Sequence, residues 1–263
     1  MSAIPILDSR ALKIEIDEER VLVAADLHLG IEVELSKRGI SLPSQMSKVK
    51  ERLLKLINQE NPDRLILLGD VKHNIPITSW QEQRELPGFF EEIGERVKVE
   101  ILPGNHDGNI RSLVPKSTTV HNAHGIVIGK EKRIGLMHGH AWPDPKLLKT
   151  DTIVTGHNHP AIEFRDELGA RMTEPVWMRY KIDSLKLPNK LQREIDGEGP
   201  EFLVCPAFSE LISGATLNQR PPEEIPGPIF KSGAAKTNEA EIYLLDGTFL
   251  GTLGTLKKML EEG

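Results

Sequence analysis

Short apolar runs, each closed by a polar cluster, recur along the chain as far as Pro160. Residues Lys13 to Ile16 alternate, Asp17-Glu18-Glu19-Arg20 reads as a turn, and the run Val21 to Ala25 predicts a strand. A proline at 43 suits the first turn of a helix. Met46, Val49, Leu53, Leu56 and Ile57 then recur at helical spacing until Asn61-Pro62 stops it. Leu65 to Leu68, Val97 to Leu102, Ile134 to Met137 and Ile153 to Thr155 read as further strands. Strands alternating with a helix predict an α/β architecture.

After Pro160 the pattern is mostly strand. Ala161 to Phe164, Pro175 to Tyr180, Glu201 to Cys205 and Ile242 to Leu245 fit it, and Leu245-Asp246-Gly247-Thr248 is a hairpin turn. Pro221 to Pro228 reads as a proline-rich surface loop. A basic block (Arg179, Lys181, Lys186, Lys190, Arg193) precedes an acidic one (Glu194, Asp196, Glu198, Glu201). Such blocks read either as a solvated loop or as a flap over a polyanionic substrate. With no internal repeat and no linker composition, residues 1–263 are expected to form one domain, with an inserted loop or flap over residues 165–200.

Composition narrows the class. The 263 residues are 38% hydrophobic and 27% charged, as in an ordinary globular protein. The lone cysteine, Cys205, excludes an internal disulfide and a cysteine-built zinc site, and points to a reducing compartment. The N-terminal MSAIPILDSR lacks the pattern of a signal peptide, and no stretch approaches the ~18 apolar residues of a membrane span, so a cytoplasmic protein is expected. A net charge of −6 argues against a dedicated nucleic-acid binder. It is compatible with an enzyme whose metal ions supply the missing positive charge.

The candidate chemistry lies in five clusters, each just after a predicted strand. They are Asp26-Leu27-His28, Gly69-Asp70-Val71-Lys72-His73, Gly104-Asn105-His106-Asp107, His138-Gly139-His140 and Gly156-His157-Asn158-His159. Seven of the nine histidines fall in them. Residues just past strand carboxyl ends project into the crevice where open α/β sheets bind ligands. Each cluster alone reads equally as a turn or a cap; the ordered set does not. His121 and His124, outside the clusters, read as surface or structural histidines, His140 as support for the ligand set, and Trp142 and Trp177 as packing residues.

The ordered motifs Asp-x-His, Gly-Asp-x-x-His, Gly-Asn-His-Asp, His-Gly-His and Gly-His-x-His resemble those of the calcineurin-like metallophosphoesterase superfamily. The segment Ala25-Asp26-Leu27-His28-Leu29-Gly30, with His73 three residues after Asp70, is similar to the SbcD-type repair nucleases. The chain as a whole is similar to the short SbcD-related archaeal phosphoesterases, through Glu174-Pro175-Val176-Trp177, Cys205-Pro206-Ala207-Phe208 and Leu244-Leu245-Asp246-Gly247. The resemblance implies two β-sheets packed as a sandwich, flanked by helices, with the active site at the strand carboxyl ends. It implies one metal on Asp26, His28 and His159, a second on Asn105, His138 and His157, and Asp70 bridging both. Two metals ~3.5–4 Å apart would share a hydroxide nucleophile and clamp the phosphoryl oxygens. The mixed oxygen and imidazole donors suit divalent transition metals, with manganese the leading choice and iron, zinc, cobalt or nickel compatible. His106 would protonate or stabilise the leaving oxygen. Asp107 would either orient His106 or cap a helix, and His73 would touch the phosphate or the nucleic acid, or support a ligand.

The expected function is therefore a dinuclear metal-dependent phosphodiesterase acting on a phosphodiester, with DNA or RNA as candidate substrates. The serine/threonine phosphatase branch carries Gly-Asp-x-Val-Asp-Arg-Gly, whereas this chain reads Gly69-Asp70-Val71-Lys72-His73-Asn74 and lacks that arginine. A small nucleotide or phosphomonoester hydrolase is the enzyme alternative. A catalytically silent scaffold, as in the retromer subunit of this fold, is the non-enzymatic one.

Overall fold

The computed structural model describes residues 3–262 apart from Glu167 and Asp196. Six strands form the first sheet in chain order: β1 (Ala3–Pro5), β2 (Ala11–Ile16), β3 (Glu19–Ala25), β4 (Arg64–Leu68), β5 (Lys98–Leu102) and β6 (Thr119–Val120). Pairing is antiparallel from β1 to β3 and parallel from β3 to β6. Parallel neighbours need crossovers. The first contains α1 (Ile31–Lys37) and α2 (Met46–Glu60), and the second α3 (Trp80–Gly94).

The second sheet holds β7 (Ile126–Ile128), β8 (Ile134–Leu136), β9 (Thr152–Thr155), β10 (Pro160–Arg165), β11 (Arg171–Tyr180), β12 (Glu201–Val204) and β13 (Ala215–Thr216). They run in the order β13-β10-β11-β12-β9-β8-β7, and the hairpin of β14 (Glu241–Leu244) and β15 (Phe249–Thr252) joins through β11. Three helices are interleaved with or follow its strands: α4 (Asn189–Gln192) between β11 and β12, α5 (Pro228–Lys231) between β13 and β14, and α6 (Leu253–Glu262) after β15.

Side-chain alternation along each strand builds the layers. Leu22, Ala24, Leu65, Leu67, Val99 and Ile101 face α2 and α3, where Leu53, Leu56, Phe89, Phe90 and Ile93 complete one core. Their neighbours Val21, Val23, Ala25, Ile66, Leu68 and Leu102 face the other sheet and meet Leu136, Val154, Trp177, Leu203 and Cys205. The far face of the second sheet buries Val176, Met178, Phe202, Val204 and Ile242 against Ile229, Phe230, Leu253 and Leu256. The order is helix, sheet, sheet, helix, as expected, with Trp177 a packing residue between the sheets.

The strands with alternating or continuous apolar patterns lie where the sequence predicts them, and the helix expected from Pro43 begins at Met46. The pattern does not predict α3, although Ser79-Trp80-Gln81-Glu82 forms a capping box at its start. Pro87 inside α3 disguises its helical reading.

Within the segment 165–200, residues Arg171–Tyr180 form β11. Register fixes its place: Met178 pairs with Val204, and Val204 with Thr155, the last residue of β9. From that level β11 runs away from the carboxyl end of β9, so Lys181 emerges toward the opposite end of the sheet, and further on Pro188, Lys190 and Leu191 line a groove with His124, Trp142 and Asp144. Leu187 and Leu191 pack into the outer core, and Lys181 pairs with Glu198 at 2.7 Å. Asp196 of the acidic block lies outside the described residues. Among the described residues no helix is long and apolar enough to cross a membrane.

Candidate metal centre

All five polar clusters converge at one end of the sandwich. Those after β3, β4 and β5 come from the first sheet, and those after β8 and β9 from the second. Backbone bonds weave the loops together: Asp26 N–H donates to Gly69 O, His28 N–H to Asp70 O and Gly156 N–H to His138 O. Asp26, His28, Asp70, His157 and His159 all have positive φ, between 43° and 70°. Aspartate and histidine tolerate the left-handed region better than most residues, at some cost, and such outliers concentrate at functional sites. Close approach also dictates glycine. A Cβ at Gly104 would lie 2.1 Å from Asp70 Oδ1, and one at Gly156 2.6 Å from Asp26 Oδ2.

Three groups of side chains could each hold a cation: one is His28, His73 and His106, and the other two share Asp70. Of those two, Asp26, His28, Asp70 and His159 make one, and Asp70, His138 and His157 the other. Asp70 Oδ2 lies 3.8 Å from His28 Nε2 and 3.4 Å from His138 Nε2. His159 Nε2 lies 3.3 Å from both Asp26 Oδ1 and His28 Nε2. His138 donates from Nδ1 to Leu68 O at 2.8 Å, which turns Nε2 toward Asp70, fully buried and without a hydrogen-bond partner. An orphaned imidazole nitrogen among carboxylates and further imidazoles fits a transition-metal ion. Asn105 is exposed, between Gly104 and His106, whose amide donates to Asp70 Oδ1 at 2.8 Å.

Protonation shows how the site behaves without that charge. Burial opposes ionisation of Asp70, yet contact with His138 and His28 holds it well below the carboxylate range. Burial likewise opposes a charge on His138, but Asp70 and Asp26 push its pKa up to about 9. Burial and the neighbouring imidazoles lower His28 to about 2, His157 to about 3 and His140 to about 4. Asp70 and Asp26 thus favour a proton on His138, at a position where a bound cation would compete with it.

The candidate catalytic residues part company. His106 Nε2 stands 3.9 Å from Asp70 Oδ2, and its Nδ1 lies 2.5 Å from His73 O rather than on Asp107. Asp107 neither orients that ring nor caps a helix with its side chain. Its carboxylate accepts the N–H groups of Val71, Lys72 and Gly104, pinning the loop after Asp70 to the loop after β5. Burial raises its pKa to about 6 against the pull of those donors. His73 touches His28 Nδ1 at 3.1 Å through its own Nδ1, and Glu34 at 2.7 Å through Nε2. Of the remaining histidines, His121 bonds Glu100, His124 bonds Trp142 O, and His140 sets its ring at an angle to those of His138 and His157.

Sequence reasoning misses several neighbours. Buried Glu82 accepts the amides of His73 and Asn74, so two carboxylates from different elements hold residues 71–74. Glu34 and Leu35 of α1, Arg38 just after it, and residues 211–215 with Arg220 line a groove of about 460 Å³. His73, His157 and His159 also border it. The 211–215 wall continues a stretch tied to the site: Phe208 N–H donates to Ala25 O and Ser209 N–H to Asp26 O. Arg10 and Arg52 bind the carbonyls of Ala207, Phe208 and Ser209. Only the capping box at Ser79 and Glu82 left a readable signal; the rest are tertiary contacts.

Comparison with known proteins agrees with this arrangement. The family model of the calcineurin-like phosphoesterases matches residues 19–185, and the chain belongs to that family of divalent-metal-dependent phosphoesterases. Phosphodiesterase YfcE of Escherichia coli K12 is 30% identical over 123 residues, covering 45% of this chain. That match spans 66% of the relative, just under two thirds of its length. Among solved structures, the Pseudomonas putida nuclease MPE superposes with a TM-score of 0.50 at 19% identity, over 90% of this chain and 97% of its own. The E. coli YfcE structure gives a TM-score of 0.41 at 15% identity, over 88% and 96%.

Proposed function

We propose that this chain is a two-metal phosphodiesterase whose natural substrate is a nucleic-acid diester. The observation that carries the two-metal reading is Asp70, a single carboxylate common to two of the donor groups. Asp26, His28 and His159 would hold one ion with it, and Asn105, His138 and His157 the other. The oxygen and imidazole donors favour manganese, and divalent ions there supply Lewis acidity to a phosphoryl group and lower the pKa of water. The relative named a phosphodiesterase supports a diester. So does the segment Gly69-Asp70-Val71-Lys72-His73-Asn74, which lacks the arginine that the phosphatase branch carries there to clamp a monoester. The Asp70-x-x-His73 spacing of the SbcD-type nucleases supports nucleic acid.

His106 handles the proton. Its Nδ1 donates to His73 O, which fixes the ring and leaves Nε2 facing the carboxylate of Asp70. As the imidazolium, with a second proton on Nε2, it would give that proton to the leaving oxygen and keep the one on Nδ1. The sharing of the middle core by both sheets supports a single domain, and the lone, buried Cys205 supports a reducing, cytoplasmic setting.

The test is hydrolysis with added manganese of an activated phosphodiester, an activated phosphomonoester, and single- and double-stranded DNA, with the bound metal measured by mass spectrometry. Diester and DNA turnover with about two metals per chain is the expected result. Absence of both metal and diester turnover overturns the enzyme. Diester turnover without DNA cleavage removes nucleic acid and keeps the chemistry.

A further inference from the structure

Glu34 is out of place. It lines the groove beside the metal centre, 41% exposed, where a carboxylate repels a phosphoester. No motif contains it. Its contacts give it a different task. Glu34 Oε2 lies 2.7 Å from His73 Nε2, and His73 Nδ1 lies 3.1 Å from His28 Nδ1.

We propose that Glu34 is a positioning residue for the metal centre, acting through His73 to fix the tautomer and ring orientation of His28. This rests on the metal-binding reading of His28 given above. Proton placement follows from the nitrogens. Two ring nitrogens in hydrogen-bond contact share one proton. If His28 offers Nε2 to a cation, its proton sits on Nδ1 and is donated to His73 Nδ1. His73 then carries its own proton on Nε2 and donates it to the Glu34 carboxylate. Every donor has one acceptor, and the order runs one way. Without Glu34, His73 is equally stable with the proton on Nδ1, which sets two N–H groups against each other and turns His28 away. The amides of His73 and Asn74, held by Glu82, keep the middle ring in place, and Arg38 pairs with Glu34 from just after α1. The chain of carboxylate, imidazole and imidazole extends by one ring the carboxylate–imidazole pairs that tune metal ligands elsewhere.

Cobalt(II) titration tests this, read by the visible absorption of the bound ion and by competition with a chromophoric chelator. Glu34→Ala is expected to weaken one cobalt-binding step about 10- to 100-fold while leaving the other step and the melting temperature of the metal-free protein unchanged. Glu34→Gln should recover most of the loss, because its amide oxygen accepts the same bond. In a His73→Ala background, Glu34→Ala should have no further effect, since its route to His28 is gone. Unchanged cobalt affinity in Glu34→Ala, or an undiminished loss in the His73→Ala background, overturns the proposal. A lower KM with unaltered cobalt affinity also overturns it and makes Glu34 a substrate-repelling residue. Wild-type protein that takes up no cobalt is a different failure: it overturns the metal centre itself.

Discussion

Asp70 and Glu100 are both buried carboxylates that meet an imidazole, and the difference between them separates chemistry from architecture. Glu100 sits on the flank of the first sheet, 2.8 Å from His121 Nε2, with Arg64 at 3.3 Å and Lys98 at 2.8 Å. Its charge is answered from the sequence itself. Asp70 meets only histidines among its ion-pair partners, its neighbour His138 keeps an orphaned nitrogen, and the backbone around it is strained. A cluster that proteins complete with lysine and arginine elsewhere is here left for a cation that the chain does not encode.

Removing the two kinds of site residue should break that contrast most strongly. Asp70→Asn takes the shared carboxylate from the two donor groups that contain it and is expected to lose bound metal together with kcat, on the order of 10³-fold or more. His106→Ala should cost on the order of 10²-fold in kcat at near-normal metal content if, as proposed, His106 handles a proton rather than an ion. Metal analysis beside steady-state kinetics decides it: equal metal loss in the two variants contradicts the assigned roles.

Asp107 sharpens the comparison from within the site. It is a buried carboxylate satisfied like Glu100, but by three backbone amides. Asp107→Ala leaves those N–H groups unpaired and should cost about 3 kcal/mol or more of stability, seen in denaturant unfolding. Asp107→Asn retains an acceptor for Val71 and Lys72 and should lose less. A variant with full stability and impaired turnover would make Asp107 part of the chemistry instead.

These contrasts also mark what a sequence can display. Strands such as Val21 to Ala25 were legible because burial on both faces leaves a continuous apolar run, and Asp26, Asp70 and His157 because ligands follow strand ends in short motifs. Glu34 and Glu82 were not legible as site residues, since their partners at His73 and Asn74 are brought to them only by folding. The groove wall at residues 211–215 escaped for the same reason: it reaches Asp26 by crossing between sheets after β12. The basic block at Lys181 to Arg193 is the opposite case. Charge pattern is visible in sequence, but the end of the sheet toward which Lys181 emerges is set by strand register.

Glu100 gives a smaller, pH-dependent effect. The hydrogen bond from His121, with Lys98 and Arg64 beside it, lowers its pKa from 4.5 to about 2. A carboxyl depressed in the folded state contributes stability that is complete above its unfolded pKa and is lost as pH falls toward its folded one. Acidification from about pH 4.5 to about pH 2 should therefore destabilise the wild type more than Glu100→Gln. At neutral pH the variant should be weaker by about 2 kcal/mol. Parallel stability–pH curves for the two proteins would show that Glu100 gains nothing from its neighbours.

The smallest effect is expected where the sequence had suggested a flap. Lys181, Lys186 and Lys190 are exposed, Lys181 toward the end of the second sheet opposite His157 and His159, where it already has Glu198 for a partner. Exposed pairs of this kind contribute little to stability. None of the three lines the groove beside the metal centre. Replacing all three lysines by alanine should leave Tm and kcat unchanged and shift KM for a short single-stranded DNA less than about twofold, at low and at moderate salt. A long duplex is the more demanding probe, because it could reach around the molecule. If its KM rises and the salt dependence flattens when the lysines are removed, the basic block binds backbone phosphates after all, at a distance from the metals rather than above them.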